Sequence, residues 1–368
     1  MGRRARRLLL FLLVAAAWFA LFEAGLRQWG SSEATPAFQG LFTGDPVIGY
    51  RLAPGARTQF TTAEFDTHIA INNVGVRDDE DIGPKAAHEK RIVVLGDSLV
   101  LSIQVGFSET FTEHLERRLN AMVPAGDDTR FRVINAGVQG YGPVEEWLFY
   151  REVLRHLEPD LVLISVFVGN DAEEAVTSQV KLTGHRAATD VLRESVVMRL
   201  RRLVRRSMVL QVLRLRIVTA TERFRGPTAA PEPPLQSYAA NPSPRITEGI
   251  NVTRRTIELI ADDAKQSGAR TGVVLMPARF QVDDADYGRL REIVALSGGE
   301  LRRDAATDRF AAALHATGLP VMDLLPTLRA VPPGPDLFFQ ENVHLTTRGH
   351  AIVGEALAAF VREQLLSP

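Results

Sequence analysis

The stretch from Arg91 to Leu99, RIVVLGDSL, constrains this chain more than any other, because a short apolar run breaks at Gly96 and delivers Asp97, Ser98 and Leu99 directly after it. A run of that length closed by glycine reads as a buried strand. In a parallel α/β sheet, ligands and reactive groups collect just beyond the carboxyl ends of the strands. Ser98 stands at such an end and is the candidate nucleophile. A serine there would also suit the cap of the next helix, so the assignment rests on what the other strand ends carry.

After the apolar run Phe131 to Ile134 comes NAGVQGYG, Asn135 to Gly142, a turn whose glycines let backbone amides approach a ligand closely. After Leu161 to Val168 come Gly169, Asn170 and Asp171, which put a side-chain amide at a third strand end. Near the C-terminus Glu341, Asn342, Val343 and His344 precede Leu345 and Thr346, and a helical pattern starts around Thr347. Strands are predicted near Ile92 to Leu95, Phe131 to Ile134, Leu161 to Val166, Thr271 to Met276 and Pro320 to Met322, with helices between them. Two of those helices fall near Ser108 to Met122 and Pro143 to Leu157, the second with proline in its first turn. The fold class is therefore α/β: a doubly wound, flavodoxin-like three-layer sandwich on a central parallel sheet of about five strands.

With these residues in place, the chain resembles the SGNH hydrolases, also called GDSL esterases and lipases. Four blocks occur in the family's order: GDSL at Gly96 to Leu99, NAGVQG with its glycine at Gly140, GND with its asparagine at Asn170, and acid-x-x-His at Glu341 to His344. The resemblance spans Arg91 to the C-terminus. It implies that Ser98 attacks an ester carbonyl, that His344 is its base, and that the oxyanion is held by the Ser98 amide, the Gly140 amide and the Asn170 side chain. It further implies that Glu341, where the family usually has aspartate, orients the histidine, with Asp336 and Asp323 as other carboxylates in range of the sequence. The third block departs from the family's Gly-x-Asn-Asp, since Val168 holds its first position and Gly169 lies directly before Asn170.

Chemistry explains why these residue types belong together. A serine hydroxyl is a poor nucleophile at neutral pH, so a neutral imidazole must take its proton during attack and return it to the leaving alkoxide. A carboxylate on the other imidazole nitrogen fixes the tautomer and stabilises the imidazolium. The charge that develops on the substrate oxygen needs fixed donors, each worth about 2.7 to 4 kcal/mol of barrier.

Other chemistries fit less well. GVQGYG after a strand could cradle a phosphate with Asp160 as the ribose acid, but Asp160 precedes its strand instead of ending it. His344 and His350 suggest a metal pair only superficially, since the chain has no HExxH and no cysteine, and no cofactor or metal is expected. His350 belongs to the first turn of the last helix. His68, His88, His114, His156, His185 and His315 stand beside no serine-bearing block and read as ordinary histidines.

The N-terminus speaks about location. Arg3, Arg4, Arg6 and Arg7 precede an apolar segment from Leu8 to Leu26 that only Glu23 interrupts. Basic flanks stay cytoplasmic, and the segment lacks a convincing A-x-A cleavage site, so residues 1–29 read as a signal anchor that leaves the remainder on the extracytoplasmic side. Residues 30–90 read as a small β appendage and 91–368 as the catalytic domain, interrupted by an arginine-rich insertion at 173–245. Its Leu200, Val204 and Met208 recur at helical spacing, and a helix packed on the domain with a basic solvated face is expected there. The net charge of −1 gives no pull toward nucleic acid, and the oligomeric state is left open. The expectation is an exported, membrane-anchored serine ester hydrolase acting on a carboxylic ester, such as an O-acyl group of a cell-surface glycan or lipid. An O-acyltransferase that passes the acyl group to a sugar from the same site is the alternative, and a non-catalytic binding protein is the second.

Overall fold

The computed structural model describes residues 40–179, 235–296, 298–332 and 336–366, with a few isolated positions before residue 40. Four short strands come first: β1 (Phe42–Asp45) pairs antiparallel with β2 (Gly49–Leu52), and β3 (Arg57–Thr61) with β4 (Asp66–Ala70). The central sheet follows, built from β5 (Glu89–Gly96), β6 (Arg130–Gly137), β7 (Leu161–Phe167), β8 (Arg270–Met276) and β9 (Val321–Asp323). All neighbours are parallel, in the order β6-β5-β7-β8-β9. The chain thus starts near one edge, steps outward once and then runs the other way. That places the switch point between the adjacent strands β5 and β7, where a doubly wound sheet opens its crevice.

Side-chain alternation along β5 separates the two faces. Val93 and Leu95 join Ile134, Ile164 and Leu275 on one side, whereas Ile92 and Val94 join Val133, Leu163 and Val274 on the other. Both faces are covered, so β7 can be apolar almost throughout, LVLISVF. Each such side chain contributes about 1.5 to 3 kcal/mol by leaving water. The second face is covered by α1 (Ser98–Leu101), α2 (Phe111–Ala121) and the last long helix, Thr347–Phe360, whose Val353 and Leu357 meet Phe111 and Leu115. The first face carries the helices Pro143–Glu152 and Pro244–Gln266.

The early strands do not stand apart. Residues 37–184 and 233–368 form one compact unit. Leu41, Ile48, Leu52, Phe60 and Ile69 are buried in the same apolar cluster as Ile134 and Phe149. Arg77 ties this segment to the nucleophile's neighbourhood: its guanidinium is almost fully buried and donates to Leu101 O at 2.7 Å, to Val105 O at 2.6 Å and to Ser102 O. Three carbonyls of the turn after α1 are thereby satisfied from outside the sheet.

Among the described residues no helix is long and apolar enough to cross a membrane. Most of the Leu8 to Leu26 segment, and residues 180–234 of the basic insertion, lie outside the described residues.

Candidate active site

Gly96 ends β5 at a close approach, since a Cβ there would sit 2.3 Å from Val100 Cγ2. That Cβ would also crowd Ser165 Cβ at 3.1 Å, so glycine leaves the room in which Val100 of α1 packs on the end of β5. Asp97 then caps α1, its Oδ1 accepting the Leu99 N–H at 2.8 Å, and Ser98 is left half-buried at the helix start.

His344 reaches Ser98 from the far end of the chain, with Nε2 2.9 Å from Ser98 Oγ. The loop that carries it doubles back on itself. Phe338 bridges Leu345, and the Phe339 N–H donates to His344 O at 2.9 Å, which leaves Gln340 to Val343 at the tip. His344 Nδ1 lies 2.5 Å from Asn342 Oδ1. An amide oxygen only accepts, so Nδ1 carries the proton and Nε2 is free to accept from the serine hydroxyl. Gln104 Nε2 also donates to Asn342 Oδ1, at 3.4 Å, and so favours that orientation of the amide.

Glu341 is not where the sequence spacing puts it. Its side chain is exposed, and the position beside His344 Nδ1 belongs to Asn342. The tight tip sends adjacent side chains in different directions, so the acid at minus three points to solvent and the amide at minus two turns inward. Asp336 does not substitute for it, being exposed and paired with the Gln340 side chain. Nor does Asp323, whose carboxylate accepts the Leu325 N–H at 2.8 Å. Among the described residues His344 therefore faces no carboxylate, and burial pushes its pKa down to about 4.

The remaining residues expected at the site sit at the same end of the sheet. Gly140 has φ +72°, and a Cβ there would lie 3.1 Å from the Tyr50 hydroxyl, so both backbone and space call for glycine. Tyr50 comes from β2, and its hydroxyl donates to Gln139 O at 2.8 Å, steadying this turn. The amides of Ser98 and Gly140 make no hydrogen bond among the described residues. Asn170 lies just before the helix Asp171–Ser178, after β7, and its Nδ2 donates to Glu174 Oε1 at 3.0 Å. One of its two amide hydrogens is spent there and the other remains to donate.

Beneath the nucleophile lies a group of buried acids. Asp97, Glu146 and Asp171 are buried, with Glu174 at their side. Burial pushes the Asp97 pKa up to about 6 against the hydrogen bond from Leu99. Glu174 is pushed up to about 8 by burial and then by the charge of Asp97. Glu146 and Asp171 are raised well above the usual carboxylate range, first by burial and then by neighbouring acids, Asp97 and Glu174 beside Glu146, and Glu146 and Asp97 beside Asp171. Burial keeps Glu174, Glu146 and Asp171 protonated at neutral pH, whereas Asp97 is largely ionised there and its charge holds the others up.

Two other sequence features find their places. Asp160 lies at the opposite end of the sheet, where it accepts the Arg91 N–H at 2.8 Å and pairs with Lys85 and Lys90, so it serves no ligand near Gly140. His350 is buried in the last helix, stacked on Phe111, with Nδ1 accepting the Phe111 N–H at 3.2 Å.

Residues 237–368 match the family described as SGNH hydrolase-like domain, acetyltransferase AlgX. No curated protein matches the chain in sequence. Among solved structures, TesA is 13% identical, with 75% of this chain and 100% of that chain covered and a TM-score of 0.41. A lipase/acylhydrolase from Enterococcus faecalis is 14% identical, covering 74% and 95%, with a TM-score of 0.40. A catalytic mutant of the acetylxylan esterase Axe2 from Geobacillus stearothermophilus is 12% identical, covering 76% and 96%, with a TM-score of 0.40.

Proposed function

We propose that this chain, an SGNH hydrolase-like protein, is a serine enzyme of acyl transfer that cleaves carboxylic esters through an acyl-enzyme on Ser98. One observation carries the reading: Ser98 Oγ lies 2.9 Å from His344 Nε2 while Asn342 fixes the tautomer that leaves Nε2 unprotonated. In the first half-reaction His344 takes the serine proton as Oγ bonds to the carbonyl carbon, and gives it to the departing alcohol as the ester bond breaks. In the second half-reaction a hydroxyl acceptor loses its proton to His344 and attacks the acyl carbon, which returns Ser98 to its starting state. The amides of Ser98 and Gly140 and the free amide hydrogen of Asn170 are the donors assigned to the oxyanion.

Water is the acceptor in the first reading, which makes the protein an esterase. The second reading, transfer to a sugar hydroxyl, is favoured by the acetyltransferase in the description of the matching family. Both use the same acyl-enzyme, and the substrate class in either case is an O-acyl ester at the cell surface. That location is part of the proposal, and it rests on the arginines before Leu8 and the apolar run to Leu26.

Labelling with a fluorophosphonate tests the nucleophile. The parent protein is expected to label and to release acid from short-chain esters, and folded Ser98→Ala to do neither. Full activity in folded Ser98→Ala overturns the mechanism. Acylated sugar as the dominant product when sugar acceptors are added would select transfer over hydrolysis.

A further inference from the structure

The hairpin between β3 and β4 reaches the histidine loop with a carboxylate. Glu64 stands at its tip, where Thr62 Oγ1 accepts the N–H groups of Glu64 and Phe65 at 3.2 and 3.1 Å and holds the turn. Glu64 Oε1 accepts from Gln340 N at 2.7 Å and Glu341 N at 3.0 Å, and Oε2 accepts from Asn342 N at 2.8 Å. Three successive peptide N–H groups thus converge on one anion, the arrangement by which a backbone concavity binds a carboxylate. From the other side, Arg279 Nη1 donates to Phe339 O at 2.9 Å and to Gln340 O, and its Nε is paired with Asp286 at 3.0 Å. The Phe65 and Phe339 rings lie 5.6 Å apart beside these bonds.

Arg279 and the Phe339–His344 bond hold the flanks of the loop, whereas the peptide N–H groups of its tip are held by Glu64. The tip is exposed at Gln340, Glu341 and Val343, and no regular element runs through it. Yet the Asn342 side chain must hold His344 Nδ1, and the Asn342 backbone is one of the groups Glu64 holds.

We propose that Glu64 is a positioning residue for catalysis: its carboxylate sets the loop that presents Asn342 and His344 to Ser98, so the β hairpin is a working part of the active site. The proposal rests on the Ser98–His344 reading above. Glu64 touches neither substrate nor reacting atoms and acts through peptide units Gln340 to Asn342. A displacement of about 1 Å in a catalytic group is enough to cost on the order of a hundredfold in rate.

The test compares Glu64→Ala and Glu64→Gln with the parent. Kinetics on a short-chain ester, the thermal midpoint, and hydrogen exchange at the amides of Gln340, Glu341 and Asn342 are measured for each. Glu64→Ala is expected to lower kcat by about tenfold or more with KM little changed, and to speed exchange at the three amides without moving the midpoint by more than a few degrees. Glu64→Gln keeps one accepting oxygen and is expected to fall between. Unchanged kcat in both folded variants overturns the proposal, as does a rise in KM alone, which would make Glu64 a substrate contact. If the parent itself fails to label with fluorophosphonate, the Ser98 reading falls. Exchange then still decides the clamp, since unaltered protection at the three amides in Glu64→Ala removes it.

Discussion

Asn342 Oδ1 lies 2.5 Å from His344 Nδ1, where a serine triad ordinarily has a carboxylate. An amide fixes the tautomer as well as an acid does, but it supplies no charge to stabilise the imidazolium. Asn342→Asp is therefore expected to raise kcat and to move the acid limb of the kcat/KM profile upward by about one unit or more, as an adjacent anion favours the charged imidazole. Asn342→Ala should lose kcat by roughly tenfold or more through a misoriented ring. Glu341→Gln should stay within about twofold of the parent, as exposed substitutions do. A larger loss in Glu341→Gln than in Asn342→Ala would return the orienting role to Glu341.

The acid limb itself carries a second prediction. Only neutral His344 accepts the serine proton, and activity falls as pH drops through its pKa. Burial disfavours the charged ring and puts that pKa at about 4, below the ordinary 6.5. Activity per folded molecule is thus expected to persist well below pH 6, measured as kcat/KM against pH with folding followed in parallel. A limb at the ordinary imidazole value would mean that the ring is solvated in the working enzyme.

The sheet was legible because it obeys local rules. Apolar runs at Ile92, Phe131, Leu161, Thr271 and Pro320 mark five strands, all of which form, and each run closes on glycine, asparagine or another turn former that sets a strand end. Ser98, Gly140 and Asn170 stand after such ends, and their roles, with that of His344 in the acid-x-x-His block, came from the resemblance to the SGNH family. The orienting partner could not be read from residue spacing. Direction at a hairpin tip depends on how the chain doubles back, here on the Phe339–His344 bond. Asn342 was in view without a role, and its spacing of two from His344 was the available signal. Glu64 acts on residues 276 to 278 positions away and Arg77 on carbonyls 24 to 28 positions away, contacts that only packing creates.

Asn170 supplies a third prediction. Its Nδ2 already gives one hydrogen to Glu174, leaving one for the oxyanion. Asn170→Ala should lower kcat by about a hundredfold with little change in KM, as for a contact made in the transition state. A pure KM effect in steady-state kinetics would instead make it a ground-state binding residue.

Location gives a fourth. The basic flank before Leu8 and the apolar run behind it predict that the full chain resists carbonate extraction and is cut by protease added outside the cytoplasmic membrane. Recovery as a soluble cytoplasmic protein would refute the proposed anchor.

The acids beneath Ser98 contribute to the dependence of stability on pH. Asp97, Glu146, Asp171 and Glu174 have folded pKa values above their ordinary ones, so the native state binds more protons than the unfolded chain. Stability from such groups is full below the unfolded values of 3.8 and 4.5 and is lost as pH rises, through about 6 for Asp97 and about 8 for Glu174. His344 and His350 act oppositely: their folded values of about 4 and about 3 lie below 6.5, so their contribution is lost as pH falls through that lower range. Glu146→Gln removes one acid whose Oε1 has no hydrogen-bond partner, and it leaves the histidines untouched. Its gain over the parent should grow between pH 5 and 9, read from denaturant unfolding at each pH, because the parent must either keep a proton on Glu146 or bury its charge beside Asp97. A gain that stays constant across that range would show that Glu146 does not titrate with folding.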